Sequence, residues 1–355
     1  MRAACLLIAL AWLLLARDAH AQPSGAADAA CQGGRGLGVS RVLAVDSTHG
    51  PRFGHQQYKD NVILQDGEVV LTFDDGPLRP NTQAVIDALS AHCTRATFFM
   101  VGRMAAADPE MVREVYRRGH TIGTHTWTHK NLRTTNLAGA RHEIELGFSL
   151  VQRAAGVPIA PFFRFPYLSD PKHSQDYLQT RNIGIFSIEV DGFDYRAQSG
   201  DAVHRAIMSQ LKAQRKGILL FHDIQPSTAG GLRRILDDLK AQNFRVVHLV
   251  PKSQFTSLPA FDALADREFS KRKLAVVNQP MAPRAVTWPI APPPAPPAVG
   301  AAASSFAARP PQVLPPPVPP SGYAPPPLVA SPSPVERPAV RQPREKAWQD
   351  RVFEN

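Results

Sequence analysis

An α/β fold with parallel strands is what this sequence predicts, and three observations predict it. Short apolar runs alternate with amphipathic stretches from about Glu68 to Val250. The stretches between runs are long enough for crossover helices and carry helix-starting residues. Clusters of acids, histidines and arginine follow the runs rather than precede them, and parallel α/β sheets bind ligands outside the carboxyl ends of their strands.

The strands are read at Val69–Phe73, Ala96–Val101, His120–Gly123, Phe162–Phe165, Gly184–Val190, Gly217–Phe221 and Phe244–Val250, from their β-branched and aromatic content. Helices fill the gaps. Asn81 precedes Val85, Ile86 and Leu89; Asp108-Pro109 opens a helix through Met111, Val112 and Val115 that stops at Gly119; Asp201 precedes Val203, Ile207 and Leu211. About seven units result. Periodicity leaves two closures open, a doubly wound sheet and an incomplete barrel.

Residues 1–21 read as a secretory signal peptide, with a basic start at Arg2, an apolar core through Ala16 and the small-x-small site Ala19-His-Ala21. The core is shorter than the roughly 20 residues of a spanning helix. No transmembrane anchor is therefore expected after cleavage, and the chain is expected to be exported, periplasmic or secreted. Loss of the signal removes Cys5 and leaves Cys31 and Cys93, an even pair in an oxidising compartment, expected to form a disulfide. Most of the 34 prolines lie beyond Pro280, in runs such as Leu314-Pro-Pro-Pro-Val-Pro-Pro320 that cannot build a packed core. From Arg267 onward 11 Lys and Arg stand against 5 Asp and Glu, +6 of the formal +10. The globular part is only mildly basic, so no nucleic-acid partner is expected, while the tail suits contact with an anionic cell envelope.

The first apolar run ends on two neighbouring carboxylates, Asp74 and Asp75, before Gly76-Pro77. Adjacent like charges are costly unless a cation or a shared proton sits between them, a solvated turn being the bland alternative. His125-Thr-Trp-Thr-His129 follows the third run, Arg164-Phe-Pro-Tyr167 ends the fourth, Asp191-Gly-Phe-Asp-Tyr195 follows the fifth and Phe221-His-Asp223 ends the sixth. Two histidines at this spacing can share one cation, and one carboxylate from the aspartate pair would complete a three-ligand set with room for water.

In order and spacing, TFDDGP, HTWTH, RFPY, DGFDY and LLFH resemble the five motifs of the polysaccharide deacetylases, the NodB-homology domains of carbohydrate esterase family 4. The resemblance covers roughly Glu68 to Val250 and implies a distorted, incomplete (β/α) barrel. It implies Asp74 as general base, and Asp75, His125 and His129 as ligands of a divalent metal, zinc before cobalt, nickel or manganese. Arg164 would pair with Asp74 and keep it ionised, the backbone N–H of Tyr167 would meet the oxyanion, and His222, oriented by Asp191, would be the acid. The fourth motif departs from the family at Tyr195, where Trp is common, which bears on substrate preference. Asp194 is given a structural hydrogen-bonding role.

The expected function is removal of N-acetyl groups from an N-acetylhexosamine polysaccharide: peptidoglycan, a chitin-like oligomer or an exopolysaccharide. The alternatives are O-acetyl ester hydrolysis on the same fold and a non-catalytic glycan-binding wall protein. A magnesium phosphatase is disfavoured, because it would prefer all-oxygen ligands to His125 and His129. Residues 22–67 are read as an irregular N-terminal extension, 68–252 as the catalytic domain, and 253–355 as linker and disordered Pro-rich tail.

Overall fold

Strand-helix alternation governs the computed structural model, which describes Cys31 and residues 36–59 and 61–278. In chain order the elements are β1 (Arg41–Val45), β2 (Arg52–Phe53), β3 (Glu68–Asp74), α1 (Asn81–Ala91), β4 (Thr97–Met100), α2 (Gly102–Ala107), α3 (Pro109–Arg117), β5 (Thr121–Thr124), α4 (Leu137–Ala155) and β6 (Phe162–Phe163). They continue with α5 (Lys172–Thr180), β7 (Gly184–Phe186), β8 (Val190–Asp191), α6 (Gly200–Gln214), β9 (Gly217–His222), α7 (Pro226–Ala241), β10 (Arg245–Pro251) and α8 (Pro259–Asn278).

Every strand pairing among the described residues is parallel, in the order β1-β10-β3-β4-β5-β6-β7-β2, with β9 on the other edge of β3 and β8 on β9. One edge of β3 is shared, since β10 meets Glu68 and Val69 while β4 meets Thr72 to Asp74. The array is thus a distorted parallel α/β barrel rather than a flat open sheet.

Alternation along the strands sorts two faces. Leu71 and Phe73 of β3, Leu219 and Phe221 of β9 and Phe163 and Phe165 at β6 pack with Val85, Ile86 and Leu89 of α1 and other helix residues. Val70, Phe99, Phe162, Phe186 and Ile218 form a second cluster inside the sheet. Side chains two residues apart share a face. Asp74 follows Val70 and Thr72, Arg164 follows Phe162, and His222 follows Ile218 and Leu220, so all three end on the inner face.

Local chemistry sets the helix starts. Asp108 accepts from Met111 N at 3.0 Å ahead of Pro109, and Asn136 accepts from Gly139 N at 2.9 Å, satisfying otherwise orphaned donors. Two helices start differently from expectation. Asn81 lies inside α1 and donates to the Ile224 carbonyl at 2.7 Å, while Ser199, not Asp201, accepts from Ala202 N at 3.3 Å. Asp201 occupies the first turn of α6, where its charge favours the helix dipole.

The ordered fold extends past 68–252 at both ends. Residues 36–59, read as irregular, place β1 beside β10 and β2 beside β7. Residues 253–278, read as linker, contribute buried Phe255 and Ala265, and Phe255 stacks on Phe148 of α4 at 4.0 Å. Gly184–Val190 divides into β7 and β8 because the carbonyls of Phe186 and Ser187 turn to the Arg164 guanidinium at 3.2 and 3.1 Å. The expected signal peptide and the Pro-rich tail lie outside the described residues.

Cys31 and Cys93 are joined across a sequence separation of 62. A loop of that length stabilises the fold by about 4 kcal/mol in the chain-entropy account. Reduction should therefore lower the denaturant midpoint by an amount equivalent to about 4 kcal/mol, with little change in far-ultraviolet circular dichroism before the transition. An unchanged midpoint would show that the bond is not part of the folded protein.

Candidate active site

The strand register assembles the site. Asp74 sits opposite His222 across β3 and β9, and the pairing of Thr124 with Phe163 brings the next residues, His125 and Arg164, side by side. The Arg164 carbonyl lies 2.8 Å from His125 Nδ1. A carbonyl can only accept, so Nδ1 carries the hydrogen and Nε2 keeps its lone pair.

That lone pair faces a buried carboxylate. Asp75 Oδ1 lies 3.5 Å from His125 Nε2 and 3.2 Å from His129 Nε2. Asp75 is fully buried, and neither of its oxygens accepts a hydrogen bond from a described residue. Its carboxyl would be raised by burial, yet the imidazoles around it hold it below the ordinary range. Burial, and then His129, push His125 well below its usual value, keeping that imidazole neutral. Carboxylate oxygens without a hydrogen-bond partner, beside a neutral imidazole, form a set that could hold a cation, and Asp75, His125 and His129 offer ligand atoms within 4.8 Å of one another. One carboxylate and two imidazoles form a mixed nitrogen–oxygen donor set rather than the all-oxygen set that magnesium or calcium takes.

The backbone around this set is forced. Asp75 (φ 78°), Thr126 (φ 68°), His129 (φ 62°) and Tyr167 (φ 61°) all lie in the left-handed region, which costs energy for residues with a Cβ. Packing imposes it on the histidine loop. Thr128 donates its N–H and hydroxyl to Glu143 at 2.9 and 2.8 Å, and Trp127 N donates to the Glu143 carbonyl at 2.9 Å. Gly147 of α4 permits the approach, since a Cβ there would lie 2.7 Å from the Thr126 carbonyl carbon.

Asp74 answers to a different partner. Arg164, fully buried, donates from Nη1 to Asp74 Oδ1 at 2.8 Å and to Thr72 Oγ1 at 2.7 Å, with its guanidinium 4.4 Å from the centre of the Phe99 ring. Arg164 pulls the Asp74 pKa down, but burial is the larger influence and the group stands at about 6. The arginine thus offsets desolvation without cancelling it.

One expected assignment is corrected. His222 is held by Asp194, not Asp191: Asp194 Oδ1 lies 2.6 Å from His222 Nδ1, and Oδ2 accepts the His222 backbone N–H at 2.6 Å. Asp194 also accepts from the Thr228 hydroxyl. Phe193, at φ 48°, turns the chain so that Asp194 points inward, while Asp191 accepts from Phe193 N at 2.7 Å and lines the cleft. Burial opposes the imidazolium, but Asp194 and the neighbouring aspartates raise His222 to about 10. The clue in the sequence was the second acid of Asp191-Gly-Phe-Asp194; which of the two faces histidine depends on the turn.

Asp74, His125, His129, Tyr167, Asp191, Tyr195 and His222 line one cleft of about 90 Å³. This is a few times the ~30 Å³ share of a water molecule in the liquid, room for a reacting group with the bulk of a ligand outside. Tyr167 closes one side, its ring edge-on to His129 at 4.8 Å; Tyr195 stands edge-on to His222 at 5.8 Å. A larger cleft of about 380 Å³, between α4 and α8, contains no histidine.

A parallel α/β barrel that gathers an aspartate and two histidines at its strand ends has the donor set and open cleft that metal-assisted hydrolysis uses. Residues 62–183 match the sequence model of the polysaccharide deacetylases. The chain is 34% identical over 160 residues to a chitooligosaccharide deacetylase of Bradyrhizobium sp. (44% of this chain, 71% of the relative). It is 30% identical over 228 residues to a chitin deacetylase of Colletotrichum lindemuthianum (60% and 91%). Among solved structures, a peptidoglycan deacetylase of Bdellovibrio bacteriovorus superposes with a TM-score of 0.55 at 29% identity, covering 62% of this chain and 61% of that one. The chain belongs to the polysaccharide deacetylase family. It spans 66% of a Bacillus cereus peptidoglycan-N-acetylglucosamine deacetylase (32% identity, 51% of this chain) and 37% of a Listeria monocytogenes one. Asp194 and His222 lie beyond the matched 62–183, so their place rests on geometry.

Nuclear magnetic resonance titration of His222 separates the two aspartates. In Asp194→Asn its pKa should fall from about 10 by at least one unit, whereas Asp191→Asn should shift it much less. The reverse pattern would restore Asp191 as the partner.

Proposed function

We propose that this protein is an exported, metal-dependent hydrolase that removes N-acetyl groups from an N-acetylhexosamine polysaccharide. The observation that carries the reading is the division of labour between neighbours: Asp75 faces two imidazoles while Asp74, next in the chain, faces Arg164 and the cleft. A binding module has no use for such a separation. The names of the relatives support acetylated glycans as substrates, and the predicted leader and the Cys31–Cys93 bond support export.

A zinc ion held by Asp75, His125 and His129 would supply Lewis acidity, lowering the pKa of water and polarising the acetyl carbonyl. Asp74 accepts the proton of the attacking water, with Arg164 holding its other oxygen. The backbone N–H of Tyr167, at the cleft, donates to the oxyanion that forms on the former carbonyl oxygen. His222 gives its proton to the departing amine nitrogen as the C–N bond breaks, releasing acetate and the free amino sugar. Asp194 keeps the imidazolium available and oriented for that step.

Both limbs of the pH profile follow from the site. Asp74 must be deprotonated, and His222 protonated, so turnover should rise through about 6 and fall toward about 10. Bound metal would move the acidic limb lower, because a nearby cation favours carboxylate. Acetate release from N-acetylglucosamine oligomers and from peptidoglycan, measured across pH, tests this. Asp74→Asn should lose about 10²- to 10⁴-fold in turnover with zinc content unchanged; retained turnover would overturn the assignment of Asp74 as base.

A further inference from the structure

Asp223 follows His222 in the chain and takes no part in the chemistry above. It is fully buried. Its carboxylate lies beneath the turn that follows the aspartate pair: Oδ1 accepts from Gly76 N at 3.1 Å, and Oδ2 accepts from the Thr82 hydroxyl at 2.6 Å. Thr82 in turn accepts from Leu78 N at 2.8 Å. One carboxylate and one hydroxyl therefore satisfy two N–H groups of the turn, two and four residues after the end of the strand.

We propose that Asp223 is a positioning residue for the cation site, clamping the 76–78 turn so that Asp75 aims its carboxylate at His125 and His129. This rests on the reading of those three residues as metal ligands. Asp75 sits at φ 78°, in the left-handed region that costs energy for a residue with a Cβ and is kept where surrounding contacts hold it. The backbone already supplies anchors on the β4 side, where Asp75 N donates to the Phe99 carbonyl at 3.3 Å and Gly76 O accepts from Val101 N at 3.2 Å. Asp223 holds the turn from the β9 side. Without it the Gly76 N–H would be a buried, unpaired donor, and the turn would relax to find another acceptor.

Fit supports a dedicated contact. A Cβ on Gly76 would lie 2.1 Å from Asp223 Oδ2 and 2.4 Å from Oδ1, so the carboxylate occupies the space that any side chain at 76 would need. Thr82 acts from the first turn of α1 as both donor and acceptor, which links that helix to the clamp. Asp223→Asn leaves one acceptor for two donors. Thr82→Val removes the hydroxyl at nearly constant volume and leaves Leu78 N unsatisfied.

The test is calorimetric titration of metal-free protein with zinc, without any turnover measurement. Asp223→Asn and Thr82→Val should each bind zinc about 10-fold or more weakly than wild type, the size expected when an outer partner of a metal site is lost. Thr82→Ser, which keeps the hydroxyl, should restore affinity. The control is Thr121→Val, at the opposite end of β5 from His125, whose buried hydroxyl donates to the Leu249 carbonyl. It should lower the melting temperature comparably yet bind zinc as wild type does. Wild-type affinity in Asp223→Asn and Thr82→Val, or an equal loss in Thr121→Val, overturns the proposal. Should Asp223→Asn fail to fold, the Thr82 pair decides alone. Failure of the wild type itself to bind zinc would instead bring down the cation site and the function proposed from it.

Discussion

Arg164 is a complete positive charge with no access to water, and the arrangement of the strand ends follows from neutralising it. A buried guanidinium is tolerated only when its donors are all used and an anion lies beside it. Here Asp74 and Thr72 take one side, the carbonyls of Phe186 and Ser187 the other, and Phe99 covers a face. Serving those carbonyls to the arginine interrupts the strand between β7 and β8. The same contact commits Asp74 Oδ1, leaving Oδ2 toward the cleft and 3.9 Å from His125 Nε2. The buried ion pair thus also sets which oxygen of Asp74 faces the cleft.

Buried carboxylates around this core carry a charge that a cation at Asp75 would relieve. Asp74, Asp75, Asp194 and Asp223 are all buried at these strand ends, where Arg164 pairs with Asp74 and His222 with Asp194. With Asp191 on the same cleft, carboxylates outnumber cations at these strand ends, an excess that favours a bound cation. Burial, with Asp75 close by, raises Asp223 to about 7, as expected of an acid among like charges. The unhydrogen-bonded oxygens of Asp75 mark where the deficit is concentrated.

Much of this was legible in the sequence because parallel strands deliver their last residues to one place. Asp74, Arg164 and His222 share an inner face by period-two alternation, and their motifs announce the chemistry. The edges were not legible. β1 is Arg-Val-Leu-Ala-Val and β2 only Arg-Phe, too short and mixed to read as strands alone; pairing with β10 and β7 makes them so, an effect of distant chain. The helix at 259–278 packs on α4 through Phe261, Leu264, Ala265 and Phe269, a helical spacing present in the sequence but set beside a proline-rich stretch that reads as linker. Asp191 and Asp194 lie three residues apart, and only the left-handed turn at Phe193 decides which one reaches His222.

The aspartate pair shows why adjacency matters to this design. Successive residues on a strand point to opposite faces, so two neighbouring acids could not normally serve one cleft. Asp74 is the last residue of β3 and keeps the inward direction of Val70 and Thr72. Asp75 should point outward, toward Phe73's side. The left-handed turn at Asp75 reverses that direction and brings the second carboxylate to the histidines. Such a reversal is costly for a residue with a Cβ, and it persists only where surrounding contacts over-determine it. β4 fixes the turn through Phe99 and Val101, and β9 fixes it through Asp223. The cation site is consequently as precise as the two strands that flank β3. Substitutions at those strand ends, remote from any ligand atom, are where its affinity should be most easily lost.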